Sequence, residues 1–365
     1  MPNLLSRLSS GLSHAAHTGE RNHIAETEHP QTIALPPELV PLALTSPQEV
    51  HRLLAGTVSK QYGPGVEFGK DVTLTFPLDV LLEIPHHTIW SAHPAAITIN
   101  ESTEELIVAL RDLSHGEIFN SHYGPVDPGA YNMAAYLRCT RVRILRLFEA
   151  LREMGIRNGT LLEVGSLYGS FALAFQRLGF QVTAIDRYHS YGPGFRPAID
   201  LMQSAGVHIV STTREEETQT IAGLGQYDVV IAMAVVEHIP HTPRQFLEQL
   251  VRHVKPGGGI ALDTPNLVRY WNRIRLGRGE SIFMDIKSQF YAALPYEGHH
   301  REYTGPELAW MLEQSGCAGT EIAYFDYNLF QFERIDRPHI ECLLHIVEDP
   351  TCADTILVRG RTPRR

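Results

Sequence analysis

The chain has 365 residues, of which 43% are hydrophobic and 20% charged, and 41 acidic side chains against 31 basic ones give a formal charge of -10. That balance disfavours nucleic acid as the main partner, because polyanion binders show a basic excess or stripe. Four cysteines, Cys139, Cys317, Cys342 and Cys352, stand far apart without a Cys-x-x-Cys pair, which excludes a zinc ribbon or a disulfide framework. The longest apolar run is the eight residues Val229 to Val236, and a spanning helix needs roughly twenty. No membrane partner and a cytoplasmic location are therefore expected.

Residues 1–45 are rich in Ser, His and Pro and read as a loose N-terminal arm. Leu4, Leu5, Leu8 and Leu12 could line one face of a short helix within it, a pattern that organelle transit segments share. Residues 46–130 form an accessory region of mixed α+β signals. Ser46-Pro-Gln-Glu49 has the capping-box form and predicts a helix to about Gly56. Asp71–Phe76 and Ala95–Ile99 alternate like strands, and Thr103 followed by two glutamates reads as a helix start.

From about residue 131 to 365 the pattern becomes regular. Apolar residues at helical spacing run from Asn132 to Met154 and stop at Gly155. Five apolar runs follow, 161–164, 181–185, 207–210, 227–232 and 259–263, separated by helical stretches near 170–179, 195–205, 215–223 and 243–254. Strands alternating with helices in this way predict a parallel sheet covered on both faces. Thr242-Pro-Arg-Gln245 and Thr304-Gly-Pro-Glu307 have the form of capping boxes at helix starts.

The first of these runs ends in Glu163-Val-Gly-Ser-Leu-Tyr-Gly-Ser170 and passes into a helix, and the second ends at Asp186. A glycine turn after the first strand lets backbone approach a ligand at the carboxyl edge of the sheet, and an acid at the end of the second strand can accept the two hydroxyls of a ribose. The dinucleotide form G-x-G-x-x-G is absent, since Ser166-Leu167 follows Gly165. Glu163 would repel a phosphate, whereas it suits a nucleoside that carries an ammonium group.

With these features in order, residues 131–365 resemble a class I S-adenosylmethionine-dependent methyltransferase. Leu162–Gly169 is similar to that family's E/D-x-G-x-G-x-G motif and departs from it at Leu167. Tyr227–Ile239, Val254–Leu262, Glu302–Leu308 and Thr355–Arg361 resemble its fourth-strand motif, the turn into its fifth strand, its last helix start and its antiparallel final strand. The resemblance implies a seven-stranded, mostly parallel, doubly wound α/β sheet preceded by the N-terminal α+β accessory region. It also implies S-adenosyl-L-methionine as cofactor, held by Glu163, Gly165, Ser166, Gly169, Asp186, Arg187, Thr212 and Met233. Thr212 falls where the family often has an acid that reads the adenine.

Similarity to members from sugar and secondary-metabolite pathways points to O-methylation of a small molecule or saccharide. A methyltransferase fold kept only for binding or scaffolding, or a nicotinamide-dependent oxidoreductase, are the alternatives. A hydroxyl acceptor is helped by a general base with a pKa near the working pH, and His238 and His299 are the candidates. Glu237-His238 can equally be a structural feature, with His238 bonded to a backbone carbonyl. It also resembles metal-binding branches of the family, in which His299 would be a further ligand and Ala234 stands where those branches carry another acid. Tyr270, Trp271, Phe283, Phe290, Tyr291 and Tyr296 could wall an acceptor pocket or form the packed underside of a helical lid.

Overall fold

A computed structural model of the chain describes residues 31–34, 72–75, 95–113, 133–213, 217–240, 242–292, 294, 296–327, 334–335, 342, 345–346 and 349–364. The predicted helix after Ser46, the leucines before residue 13 and Arg214 lie outside them. The chain divides into two compact units, one of Met1–His93 with Leu329–Glu348 and the other of Pro94–Asn328 with Asp349–Arg365. In the first, β1 (Gln31–Ala34) runs parallel to β2 (Val72–Thr75), which pairs antiparallel with β9 (Arg334–Ile335).

The second unit is the sheet that the apolar runs predict. Its strands are β3 (Gly159–Val164), β4 (Phe180–Asp186), β5 (His208–Ser211), β6 (Tyr227–Met233), β7 (Val254–Pro265), β8 (Ala318–Phe325) and β10 (Thr355–Arg361). They lie in the order β5-β4-β3-β6-β7-β10-β8. All pairings are parallel except those of β10, which is antiparallel to β7 and to β8. The inner strands are continuous apolar runs because both faces are covered, and Leu161, Leu162, Val229, Val230, Ile231 and Ala232 are fully buried. The order reverses between β3 and β6, and open sheets of this kind place their ligands outside the carboxyl ends of the strands at such a switch point.

Helices α1 (Ala96–Ala109), α2 (Met133–Glu153), α3 (Ser170–Arg177), α4 (Arg196–Ser204), α5 (Glu217–Ala222), α6 (Arg244–Arg252), α7 (Tyr270–Gly277), α8 (Ile286–Tyr291) and α9 (Gly305–Gln314) complete the unit. The first of them corrects the strand expected at Ala95–Ile99. Over five residues that stretch alternates, but buried Ala96, Ile99, Thr103, Leu106 and Leu110 recur at helical spacing over fifteen. Ser102 and Thr103 turn their hydroxyls back onto the carbonyls of Thr98 and Ile99, which satisfies them inside the helix. Glu104 then receives Arg138 of α2 at 2.9 Å and Glu105 receives Arg177 of α3 at 2.6 Å.

The capping box expected at Thr242 does not form, because Pro243 already takes helical dihedrals and stands at the N-cap itself. At Thr304 the box does form. Its hydroxyl accepts from the Glu307 amide, and the Glu307 carboxylate accepts from the Thr304 amide at 2.9 Å.

Candidate functional site

Beyond the carboxyl ends of β3 and β6 lies a cavity of about 260 Å³. Its walls bring together Glu163, Gly165, Ser166, Met233, His238 and His299 of the expected site. Gly169, Asp186, Arg187 and Thr212 stand outside its lining.

The turn that forms one wall is tight. Gly165 has φ +78°, and a Cβ there would stand 2.4 Å from Val235 Cγ2 in the turn after β6, so only glycine lets the two turns meet. Leu167, the departure from the family motif, has φ +45°. It takes the left-handed turn without glycine, at a cost of about 1–2 kcal/mol. Its amide donates to Asp186 Oδ2 at 2.6 Å, and the Arg187 amide donates to Oδ1 at 2.6 Å. Tyr191 also donates its hydroxyl to Oδ1. Asp186 thus fastens the turn to the end of β4. Gly169, at φ +80°, is required by α4 rather than by the cavity, since a Cβ would lie 2.1 Å from Met202 Sδ.

Glu163 is 1% exposed, and its Oε2 has no hydrogen-bond partner among the described residues. Burial pushes its carboxyl up to about 8. A buried acceptor left unsatisfied costs about 1–3 kcal/mol, and a bound cation would remove that cost. Across the same cavity stands Arg143 of α2, which sequence reasoning missed. Its Nε and Nη2 grip Asp263 at 2.9 and 2.7 Å, in a pair 4% and 0% exposed. Nη1 carries no hydrogen bond of its own to a described residue. Tyr136, Thr140 and Arg143 recur at i, i+4 and i+7 on one face of α2 and all three line the cavity, but the helix carries arginines and glutamates on its other faces too, so the sequence did not single this face out.

The other wall carries the histidines. His238 follows β6 in a short 3-10 turn, and its Nδ1 lies 2.8 Å from the Glu297 carbonyl. A carbonyl only accepts, so Nδ1 carries the proton and Nε2 the lone pair. Burial, with His299 adding to it, pushes His238 down to about 4, which keeps the ring neutral. The rings of His238 and His299 meet edge to face at 4.8 Å. His299 Nδ1 lies 3.1 Å from Glu302 Oε1, and Glu302 is gripped in turn by both guanidinium nitrogens Nη1 and Nη2 of Arg269. Burial opposes a charge on His299, but the bond to Glu302 and the nearby Glu237 outweigh it and hold its pKa above the ordinary value.

Glu237 is 1% exposed and pushed up to about 7 by burial. Thr264 donates its hydroxyl to Oε2 at 3.1 Å, while Oε1 has no described partner. The backbone carbonyl of Glu237 accepts from the His300 amide at 2.7 Å, which ties the 297–301 segment to the end of β6. Ligand-type atoms of Glu237, His238 and His299 all lie within 4.8 Å of one another, and Ala234 adds none.

The remaining expected residues support this frame. Arg187 makes a bidentate pair with Glu297 at 2.6 and 3.0 Å, and Glu297 is the residue whose carbonyl holds His238. Thr212 donates its amide to the Asp186 carbonyl at 3.0 Å, and its hydroxyl is engaged by Thr213 and Thr220. Of the aromatics, Tyr270 is buried, whereas Phe283, Phe290 and Tyr291 are 62 to 75% exposed. Those three are neither pocket wall nor packed underside.

Comparison with known proteins shows the family of the chain. Residues 134–322, just over half of the chain, match the family model described as a methyltransferase domain. The ubiquinone biosynthesis O-methyltransferase of Hydrogenovibrio crunogenus is 26% identical over 231 residues, covering 60% of this chain and 85% of its own. The Escherichia coli protein of the same name is 31% identical over 197 residues, covering 52% and 75%. Among solved structures, a magnesium protoporphyrin IX methyltransferase from Synechocystis, with S-adenosylhomocysteine bound, is 13% identical at a TM-score of 0.41, covering 66% of this chain and 90% of that one. The glycine turn, the acid closing β4, the antiparallel β10 and the match over residues 134–322 lead to one assignment: the chain belongs to the methyltransferase-domain family, as a class I S-adenosylmethionine-dependent methyltransferase.

Proposed function

We propose that this enzyme methylates a hydroxyl oxygen of a small molecule, with His299 as general base. The observation that carries the reading is the His299–Glu302 pair, which engages Nδ1 of a histidine that lines the same cavity as Glu163 and the glycine turn. The two relatives named as O-methyltransferases support oxygen as the acceptor atom. Saccharides remain among the candidate acceptors.

S-adenosylmethionine supplies a methyl group activated by its sulfonium, so the chain's own residues have to position, desolvate and move one proton. Glu163 Oε2 would accept the ammonium of the cofactor's amino-acid end, and Arg143 Nη1 would meet its carboxylate. Gly165 and Ser166 would admit that end past the turn, while Met233 would pack against the cofactor. Asp186 Oδ2, which among the described residues accepts only from Leu167, would offer a lone pair to a ribose hydroxyl. Arg187, Gly169 and Thr212 would act at one remove, by holding the frame around Asp186 and His238.

His299 would take the acceptor's proton at Nε2 while Glu302, clamped by Arg269, stabilises the charge that develops on the ring. Neutral His238 would wall the site edge to face beside His299. In a methyl-transfer assay with hydroxylated acceptors such as catechols, His299→Ala should lower kcat by about 10²–10⁴-fold, with the affinity for S-adenosylhomocysteine unchanged. Full activity in that variant would sink the assignment.

A second reading rests on the unpartnered Glu237 Oε1 beside His238 and His299. These three would suffice for an open divalent-cation site. Activity lost to a chelator and restored by a divalent cation would favour it; activity indifferent to chelation favours the base.

A further inference from the structure

Asp186 is more heavily committed than a ribose-binding acid needs to be. A carboxylate has two oxygens and about four lone-pair sites, and the chain itself already takes three of them. The Leu167 amide donates to Oδ2 at 2.6 Å, the Arg187 amide donates to Oδ1 at 2.6 Å, and the Tyr191 hydroxyl donates to Oδ1 as well. The two hydroxyls of a ribose need two acceptor sites. Among the donors of the described residues, one site is left open, and it lies on Oδ2.

Tyr191 is the one side chain among these three donors, since the other two are backbone amides. Its place is set by the loop after β4. A 3-10 turn over Tyr188–Ser190 is closed by the Ser190 amide and hydroxyl, which donate to the Arg187 carbonyl at 2.9 and 2.7 Å. That turn brings residue 191 back to the acid it has just left. The Tyr191 ring is 4% exposed there, 5.1 Å from the ring of Phe195 and edge to face with Tyr188 at 6.2 Å. A ring packed on two sides does not swing away when a ligand arrives. A hydroxyl withdrawn from Oδ1 would also be left buried without a partner, which is costly. We propose that Tyr191 keeps Oδ1 capped in the cofactor complex, so that Asp186 reads one ribose hydroxyl of the cofactor and Tyr191 sets that selectivity. The second hydroxyl then adds little to affinity, and a cofactor lacking it is still bound. This selectivity rests on the ribose lying at Asp186, as in the proposed function.

Binding of S-adenosylhomocysteine and of its 2′-deoxy and 3′-deoxy analogues would be measured by calorimetry on the full-length wild type and on Tyr191→Phe, which removes the cap and keeps the ring. In the wild type one deoxy analogue should bind about tenfold or more weakly than the parent, as expected when a hydrogen bond to a charged group is lost, and the other should stay within about threefold. In Tyr191→Phe, Oδ1 is free to accept the second hydroxyl, so each analogue should bind about tenfold or more weakly than the parent ligand does to that variant. A loss of that size with both analogues in the wild type overturns the proposal while leaving the ribose at Asp186. Indifference of the wild type to both deletions overturns it together with that placement. An unequal response that Tyr191→Phe leaves unchanged also overturns it, because the selectivity would then lie in another residue.

Discussion

Glu163 makes cofactor binding a proton-linked event. In the free enzyme its carboxyl is held up to about 8 by burial, so at pH 6 it is almost wholly protonated and must lose a proton to receive an ammonium group. Each pH unit below 8 then costs about 1.4 kcal/mol of binding free energy, a factor of about ten in Kd. Affinity for S-adenosylhomocysteine, which shares the amino-acid end, should rise about 25- to 50-fold from pH 6 to pH 8. It should level off there, because an α-amino group itself titrates near about 7.7–8.0. Calorimetry at pH 6.5 in buffers of different ionisation enthalpy should count close to one proton released per ligand bound. Glu163→Gln should bind weakly at all pH values and release none. A Kd in the wild type that is flat from pH 6 to 8, or a slope that survives in the variant, would refute the reasoning. The same shift has a stability consequence of opposite sign. An unfolded glutamate ionises near about 4.3, so the buried one destabilises the free enzyme increasingly as pH rises from there to about 8. Glu163→Gln should therefore raise the Tm of the free protein at pH 8, and the gain should shrink toward pH 5.

Other substitutions separate structural from binding roles. Arg143→Met strands Asp263 in a fully buried site and should cost about 3–5 kcal/mol in denaturant unfolding; adding Asp263→Leu should restore much of that stability without restoring cofactor affinity. Leu167→Gly relieves the left-handed strain at φ +45° while adding disorder to the unfolded chain, and should leave stability within about 1 kcal/mol and cofactor Kd unchanged. Glu302→Gln removes the carboxylate that holds His299 up, so the acid limb of the kcat profile should move to lower pH and the maximal rate should fall, read as kcat against pH with saturating cofactor.

The sheet was legible because its inner strands are buried on both faces and so appear as uninterrupted apolar runs. The turn of 163–169 was legible because glycine and a strand-end acid have few other reasons to occur at that spacing. Arg143 escaped notice because a charged residue on a long helix ordinarily faces water, and only the placement of α2 over the switch point turns it inward. α1 was misread because a five-residue window cannot distinguish alternation from helical recurrence. The outward aromatics of α8 carry the same letters as a buried lid, and which way they point depends on the anchoring of Met284, a contact between segments that no local pattern encodes.

The position of β10 between β7 and β8 constrains how this protein can be made and cut. After β8 the chain leaves for the other compact unit through residues 329–348, then returns to thread its antiparallel strand into the sheet. Until that return, β8 has no strand to pair with, and the edge of β7 lies open. During synthesis the nascent sheet must wait for residues 355–361, an interval in which a chaperone would find an exposed apolar edge to hold. Removing residues 1–93 would not yield the second unit alone, because 329–348 would remain between β8 and β10 with β9 deprived of its partner β2.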